Sequence, residues 1–285
     1  MNSYVSVLTL KRDGALNLGT GTTYDLPLRL VVEAVSREID GYTRRQFFHT
    51  TQTLELDGPG DTIIIIPDTV KITSLKEDSN NDGTFDATWA TNDYYEYPRN
   101  ANPTADWGGK PYTQLAVSDK TVGTQDQFIF GTANYELIGT FGYARKVTEA
   151  SVACSSSINT TVTTLPVNGA VSTSDFYIGD TVVLDSEQMY VTNASSTSYT
   201  VIRSVNGSTA GTHGSGSAIT IVNYPSEVTQ AAYIQAARMW RRKDSGFANE
   251  VGFPETGQMV TFKGGLDADV KQMLSRVRRV DRAIA

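Results

Sequence analysis

The chain has 285 residues and a mass of 31.0 kDa, long enough to bury one large core or two modest ones. With 39% hydrophobic and 19% charged residues, its balance is that of a folded globular protein and excludes whole-chain disorder. A net charge of -7 argues against broad attraction to nucleic acid or anionic membrane, and a single cysteine, Cys154, excludes an internal disulfide framework or a multi-cysteine metal site.

The opening MNSYVSVLTLKRDG lacks the basic-then-apolar order of a cleaved signal, and the longest aliphatic run, Ile63 to Ile66, is far too short to cross a membrane. The first expected element starts near Asp25, with Pro27 in its opening turn, where a missing N–H costs nothing. Leu28, Val31, Val32, Val35, Ile39 and Tyr42 recur at spacings of three and four, which predicts a helix of about 20 residues with one apolar stripe. From Thr51 to Tyr143 the pattern changes to short Ile-, Val-, Thr- and Tyr-rich runs broken by turn clusters such as Asp57-Gly58-Pro59-Gly60, the grammar of antiparallel strands. The unalternating run Ile63 to Ile66 predicts a strand covered on both faces, by the helix on one side and a neighbouring subunit or strand on the other, and Tyr94 to Pro111 reads as a long aromatic loop.

Composition shifts near Ser151: up to Val222 roughly a third of residues are Ser or Thr, yet Val, Ile and Tyr keep alternating, which predicts folded strands instead of a linker. A helix is expected from Ser226, as a cap, to about Lys243, through Val228, Ala231, Ala232, Ala236 and Met239. A last helix is expected from Asp267, with Leu266, Val270, Met273, Leu274 and Val277 on one face and Arg276, Arg278, Arg279 and Arg282 at its end, charges that suit the helix dipole. The resulting expectation is an α+β chain. A helical core of the N-terminal and C-terminal helices, with a small antiparallel β-region, spans 1–150 and 224–285, and an all-β module is inserted at 151–223.

No H-E-x-x-H, G-x-S-x-G or phosphate-loop pattern occurs, and His49 and His213 stand far apart, so an assembly or binding role is expected in place of an enzyme. Asp78, Asn80, Asp82, Thr84 and Asp86 match the first half of a calcium loop, with Gly83 at the sharp turn, but Trp89 stands where an EF-hand places its bidentate glutamate. The same residues suit an Asx-rich hairpin turn, so either an incomplete calcium cage or a plain turn fits, and no other cofactor is expected.

Leu54-Glu-Leu-Asp-Gly58, the Ile-rich strand ending in Pro67, Asn92-Asp93-Tyr94, Gly139-Thr-Phe-Gly-Tyr143 and Tyr233…Ala237…Trp240…Lys243-Asp244-Ser245 together resemble the head-tail adaptor (connector) proteins of tailed bacteriophages. Within 151–223, Gly179-Asp180, Asp185-Ser-Glu187, Met189-Tyr-Val-Thr192, Arg203 to Ala210 and His213 resemble a β-module of phage neck and tail proteins. The resemblance implies a virion structural protein of the neck, assembled in the host cytoplasm. Twelve copies would form a ring that docks on the portal protein and meets the next neck or tail-completion protein, with DNA only passing through the channel and no membrane contact. Trp240, the stripe Leu266, Val270, Met273, Leu274 and Val277, and the arginines 276, 278, 279 and 282 are the expected interaction residues. The alternative is a carbohydrate- or surface-binding β-module protein whose binding face is formed by the Ser/Thr-rich insertion with Tyr94, Tyr95 and Trp107.

Overall fold

The computed structural model describes residues 2–12, 16–19, 21–104, 109–119, 123–143, 146–169, 175–245, 250–253, 258–261 and 265–279. Contacts divide the chain into two compact units, Met1–Arg44 with Val147–Val205 and Thr209–Ala285, and Arg45–Lys146 with Asn206–Ser208. The expected module at 151–223 lies in the first unit, with the helices, apart from 206–208.

The second unit is a six-stranded antiparallel sheet. Its strands are β1 (Thr50–Gly58), β2 (Ile63–Glu77), β3 (Ala87–Trp89), β4 (Tyr94–Tyr97), β5 (Tyr112–Val117) and β6 (Gly131–Phe141), in the order β1-β6-β2-β5-β4 with β3 on the far end of β2. The first half of β2 pairs with β5 (Ile63↔Ala116, Ile65↔Gln114) and the second half with β6 (Leu75↔Leu137). Its isoleucines alternate: Ile64 and Ile66 join the core while Ile63 and Ile65 stay exposed, so within one chain the strand is covered on one face, not two. That core contains Leu75, Leu115, Leu137 and a Trp89–Phe128 stack at 4.6 Å. Buried Glu77 accepts from Trp89 Nε1 and the Tyr135 hydroxyl, each at 2.8 Å, which satisfies both polar handles of the aromatic cluster. The expected aromatic loop from Tyr94 begins as strand β4, with Tyr94 in the core.

The first unit holds the other six-stranded sheet, ordered β7-β12-β9-β10-β11-β8, from β7 (Lys146–Ala153), β8 (Thr164–Pro166), β9 (Thr181–Leu184), β10 (Glu187–Ala194), β11 (Ser198–Ile202) and β12 (Ala218–Asn223). It also holds α1 (Val7–Arg12), α2 (Asp25–Thr43), α3 (Ser226–Arg242) and α4 (Ala268–Leu274), and the hairpin β13 (Glu250–Phe253) and β14 (Gln258–Thr261). Helix α2 buries Leu28, Val32, Val35 and Ile39 as its spacing predicts, and ends where Arg44 turns left-handed at φ 53. Pro225, not Ser226, stands at the N-cap of α3.

The expected helical core with a small β-region is overturned, because the two six-stranded sheets dominate and the helices number 6, 19, 17 and 7 residues. The reason lies in side-chain size. Helix α3 buries Ala231, Ala232, Ala236 and Ala237, whereas large apolar side chains such as Tyr135, Tyr190, Tyr199 and Phe128 belong to strands or the turns between them. Apolar burial follows area, so the sheets carry most of it.

Within the first unit the N-terminal segment is buried rather than free. Val7 N–H donates to the Ile178 carbonyl at 3.0 Å, the Thr181 hydroxyl to Asn2 Oδ1 at 2.7 Å, and the Ser3 and Tyr190 hydroxyls meet at 3.0 Å. Lys11, its side chain fully buried, pairs with Asp25 at 2.5 Å, and the Tyr177 hydroxyl donates to the same carboxylate at 3.1 Å. A buried lysine is tolerated only when so paired.

Candidate functional site

The 78–86 loop joins β2 to β3. Asp78 is buried and accepts the N–H groups of Asp82 at 3.1 Å and Gly83 at 2.7 Å. Asn80 Oδ1 also accepts from Asp82 N–H, and Asp82 Oδ1 accepts from Thr84 N–H at 2.8 Å. Asp86, fully exposed, is held below the usual carboxylate range by the N–H and hydroxyl of Ser79. These are nested Asx turns in which the candidate ligands already serve the backbone. Among the described residues no group of three or more His, Cys, Asp or Glu side chains is arranged to hold a metal ion. Asp78→Ala should destabilise the second unit by about 1–3 kcal/mol, because the Gly83 N–H loses its acceptor and the Asp82 N–H is left with Asn80 alone. Millimolar calcium should leave the wild-type melting temperature unchanged; a calcium-dependent rise that Asp82→Ala abolishes would instead establish a cage.

The expected interaction residues fall into two groups. Leu266, Val270, Leu274 and Val277 are buried and Met273 is half-buried, within the unit that contains α3 and α2. Trp240 is also buried, edge-on to Tyr24 at 5.6 Å, with the Lys243 ammonium 4.8 Å from its ring centroid. The apolar stripe thus closes α4 onto its own chain. Arg276 and Arg278 are exposed, Arg278 with its guanidinium 5.2 Å from the Tyr42 ring centroid, and Arg279 N–H donates to the Thr43 carbonyl at 2.8 Å. Arg282 lies outside the described residues, as does Trp107. Of the aromatics drawn for a carbohydrate-binding face, the described ones are Tyr94, which is buried, and Tyr95, which is half-buried with the Arg99 guanidinium 4.2 Å from its ring centroid.

Spacing gave no hint of a charged network in the second sheet. Glu187, 1% exposed at the start of β10, receives two guanidinium bonds from Arg203 at 2.6 Å each, and N–H bonds from Gly211 at 2.9 Å and Ser204 at 3.2 Å. His213 Nε2 lies 2.9 Å from Glu187, and its Nδ1 2.6 Å from Asp185. Burial disfavours the charge on Glu187, yet Arg203 and the surrounding donors outweigh it and hold the carboxyl down at about 2. Arg203 further donates to the carbonyls of Asn159, Val162 and Gly211. The cluster thereby ties three connecting segments to one strand, a scaffold role. His49 is likewise structural, 2.6 Å from the Tyr143 carbonyl.

The remaining surface features are exposed apolar side chains. On α2, Leu26 is 59% and Leu30 56% exposed, one turn apart and opposite the buried stripe. In the other unit Ile65 is 54% and Phe130 81% exposed.

No family model, curated protein or solved structure matches this chain.

Proposed function

We propose that the chain is a virion structural protein, a head-tail adaptor whose copies form a ring on the portal and extend the DNA channel toward the next neck or tail protein. The observation that carries this reading is that each unit leaves large apolar side chains open to solvent, Leu26 and Leu30 on one, Ile63, Ile65 and Phe130 on the other. Clustered exposed apolar groups mark contact surfaces, and a bridging protein needs them on more than one part of its surface. The ordered motifs between Leu54 and Ser245 support the same reading, although the helical core that they imply is replaced by two sheets.

Mass measurement of the purified chain with and without the portal of its own virus tests the proposal. A complex whose added mass is a whole ring of copies, twelve under the resemblance, is expected. Failure to bind any portal oligomer, together with selective binding on a glycan array, would replace adaptor by carbohydrate-binding protein.

A further inference from the structure

A buried amine and a buried carboxyl stand in contact where the first two helices meet. Lys11, in the last turn of α1, has a side chain 0% exposed and places Nζ 2.5 Å from Oδ1 of Asp25, 6% exposed, in the first turn of α2. The Gly21 carbonyl also accepts from Nζ, at 2.5 Å. On the other carboxyl oxygen, Oδ2, the Tyr177 hydroxyl donates at 3.1 Å, and the centroid of its ring lies 5.7 Å from Nζ. Burial, with the Asp25 charge beside it, pushes the Tyr177 phenol up to about 12, so it keeps its proton and remains a donor.

An amine, a carboxyl and a fixed hydroxyl donor, held together out of water, are the parts of an amide-forming site. We propose that Lys11 and Asp25 condense in the folded chain to an isopeptide bond that staples α1 to α2, with Tyr177 as the oxyanion donor.

Burial disfavours both charges, and one proton passed along the hydrogen bond from Nζ to Oδ1 gives a neutral amine and a neutral acid, the reactive forms. Nζ then attacks Cγ, and the electron pair of the Cγ–Oδ2 double bond moves onto Oδ2, where the Tyr177 hydroxyl already points. The position of Asp25 in the first turn of α2 adds the positive end of the helix dipole to the same charge. A second proton passes from Nζ to Oδ1, the Cγ–Oδ1 bond breaks, and the pair on Oδ2 restores the carbonyl. One water leaves, Tyr177 ends as it began, and the net charge is unchanged. Holding the reactants in contact replaces an encounter in solution, and a site closed to water favours the condensed product. The bond closes the loop from 11 to 25 as a disulfide would, in a chain whose one cysteine makes no internal disulfide. It is independent of the adaptor reading.

Intact-mass spectrometry of the full chain, purified and kept folded at neutral pH, tests the proposal. The wild type should weigh about 18 Da less than its sequence, the loss of one water. Trypsin should then release peptides 1–12 and 13–29 as one linked species, uncut after Lys11. Lys11→Arg keeps a cation but has no nucleophilic amine, and should show the full mass with the two peptides separate. Tyr177→Phe keeps the ring, and in samples taken soon after synthesis its linked fraction should fall about tenfold. A folded wild type at full sequence mass overturns the proposal without any variant. So does a loss of water that Lys11→Arg retains, which would place the dehydration elsewhere in the chain. Equal linked fractions in wild type and Tyr177→Phe would overturn the part given to Tyr177.

Discussion

Deleting 151–223 and joining the ends through a short Gly-Ser link should abolish the cooperative folding of the first unit while the second keeps its own transition. The composition break at Ser151 invites the opposite outcome, a removable module, but the contacts of the N-terminal segment decide against it. Tyr190, completely buried, donates its hydroxyl to Glu33 of α2 at 2.7 Å and meets the Ser3 hydroxyl. Tyr177 reaches Asp25, Ile178 accepts from Val7, and Thr181 reaches Asn2. Without these strands the paired but buried Lys11 and Asp25 lose the ring that lies 5.7 Å from the ammonium. Removing Tyr177, Ile178, Val182 and Tyr190 forfeits roughly 1.5–3 kcal/mol of burial apiece, comparable in sum with the about 5–15 kcal/mol that holds a domain folded. Near-UV circular dichroism and a thermal melt would show it: one of two transitions should vanish. A deletion variant that melts in two cooperative steps, as is expected of the whole chain, would mean that 151–223 is dispensable to the helices.

Local signals in the sequence located elements well and assigned them to layers poorly. The three-and-four spacing from Leu28 to Ile39, with Pro27 at the start, marked α2, and the alanine-rich run after Pro225 marked α3. Turn clusters at Asp57–Gly60 and Asn81–Gly83 correctly separated β1, β2 and β3. An apolar stripe, however, says that a face is buried without saying against what, so the helices looked like partners of one another when α2 also packs on β10. The run Ile63–Ile66 shows the converse limit: four identical side chains conceal the period of two that the strand imposes, and only the core on one face of the sheet and solvent on the other distinguish Ile64 from Ile63. Helix α1 is six residues long, too short for periodicity to register. The Glu187 network joins residues up to 44 positions apart, a proximity that no spacing encodes. Phe130 follows Phe128 in an apolar triplet, yet one is completely buried and the other 81% exposed.

Glu187→Ala should destabilise the first unit by about 3–5 kcal/mol, the cost of leaving a buried partner uncompensated. Arg203, its side chain only 7% exposed, would keep its charge and three carbonyl bonds but lose the carboxylate, while the N–H groups of Gly211 and Ser204 would lose their acceptor. Glu187→Met/Arg203→Met should recover part of the loss, because an apolar pair carries no stranded charge. The pH dependence has a definite sign. The carboxyl sits near 2 in the folded chain against an ordinary 4.5, so the folded state binds its proton less readily, and the contribution is complete above about 4.5 and fades as pH falls toward 2. Asp40 acts in the opposite direction: burial raises its carboxyl to about 6 despite Arg37 at 3.1 Å and the Tyr4 hydroxyl, so its cost appears as pH climbs through 6. Subtracting the variant's stability from that of the wild type cancels Asp40 and isolates Glu187. The difference in unfolding free energy, followed by urea titration from pH 7 down to about 3, should stay level to about pH 4.5 and then narrow. A difference that instead widens on acidification would show that the folded state favours the protonated acid, and that Arg203 and its neighbouring donors do not offset the burial of the charge.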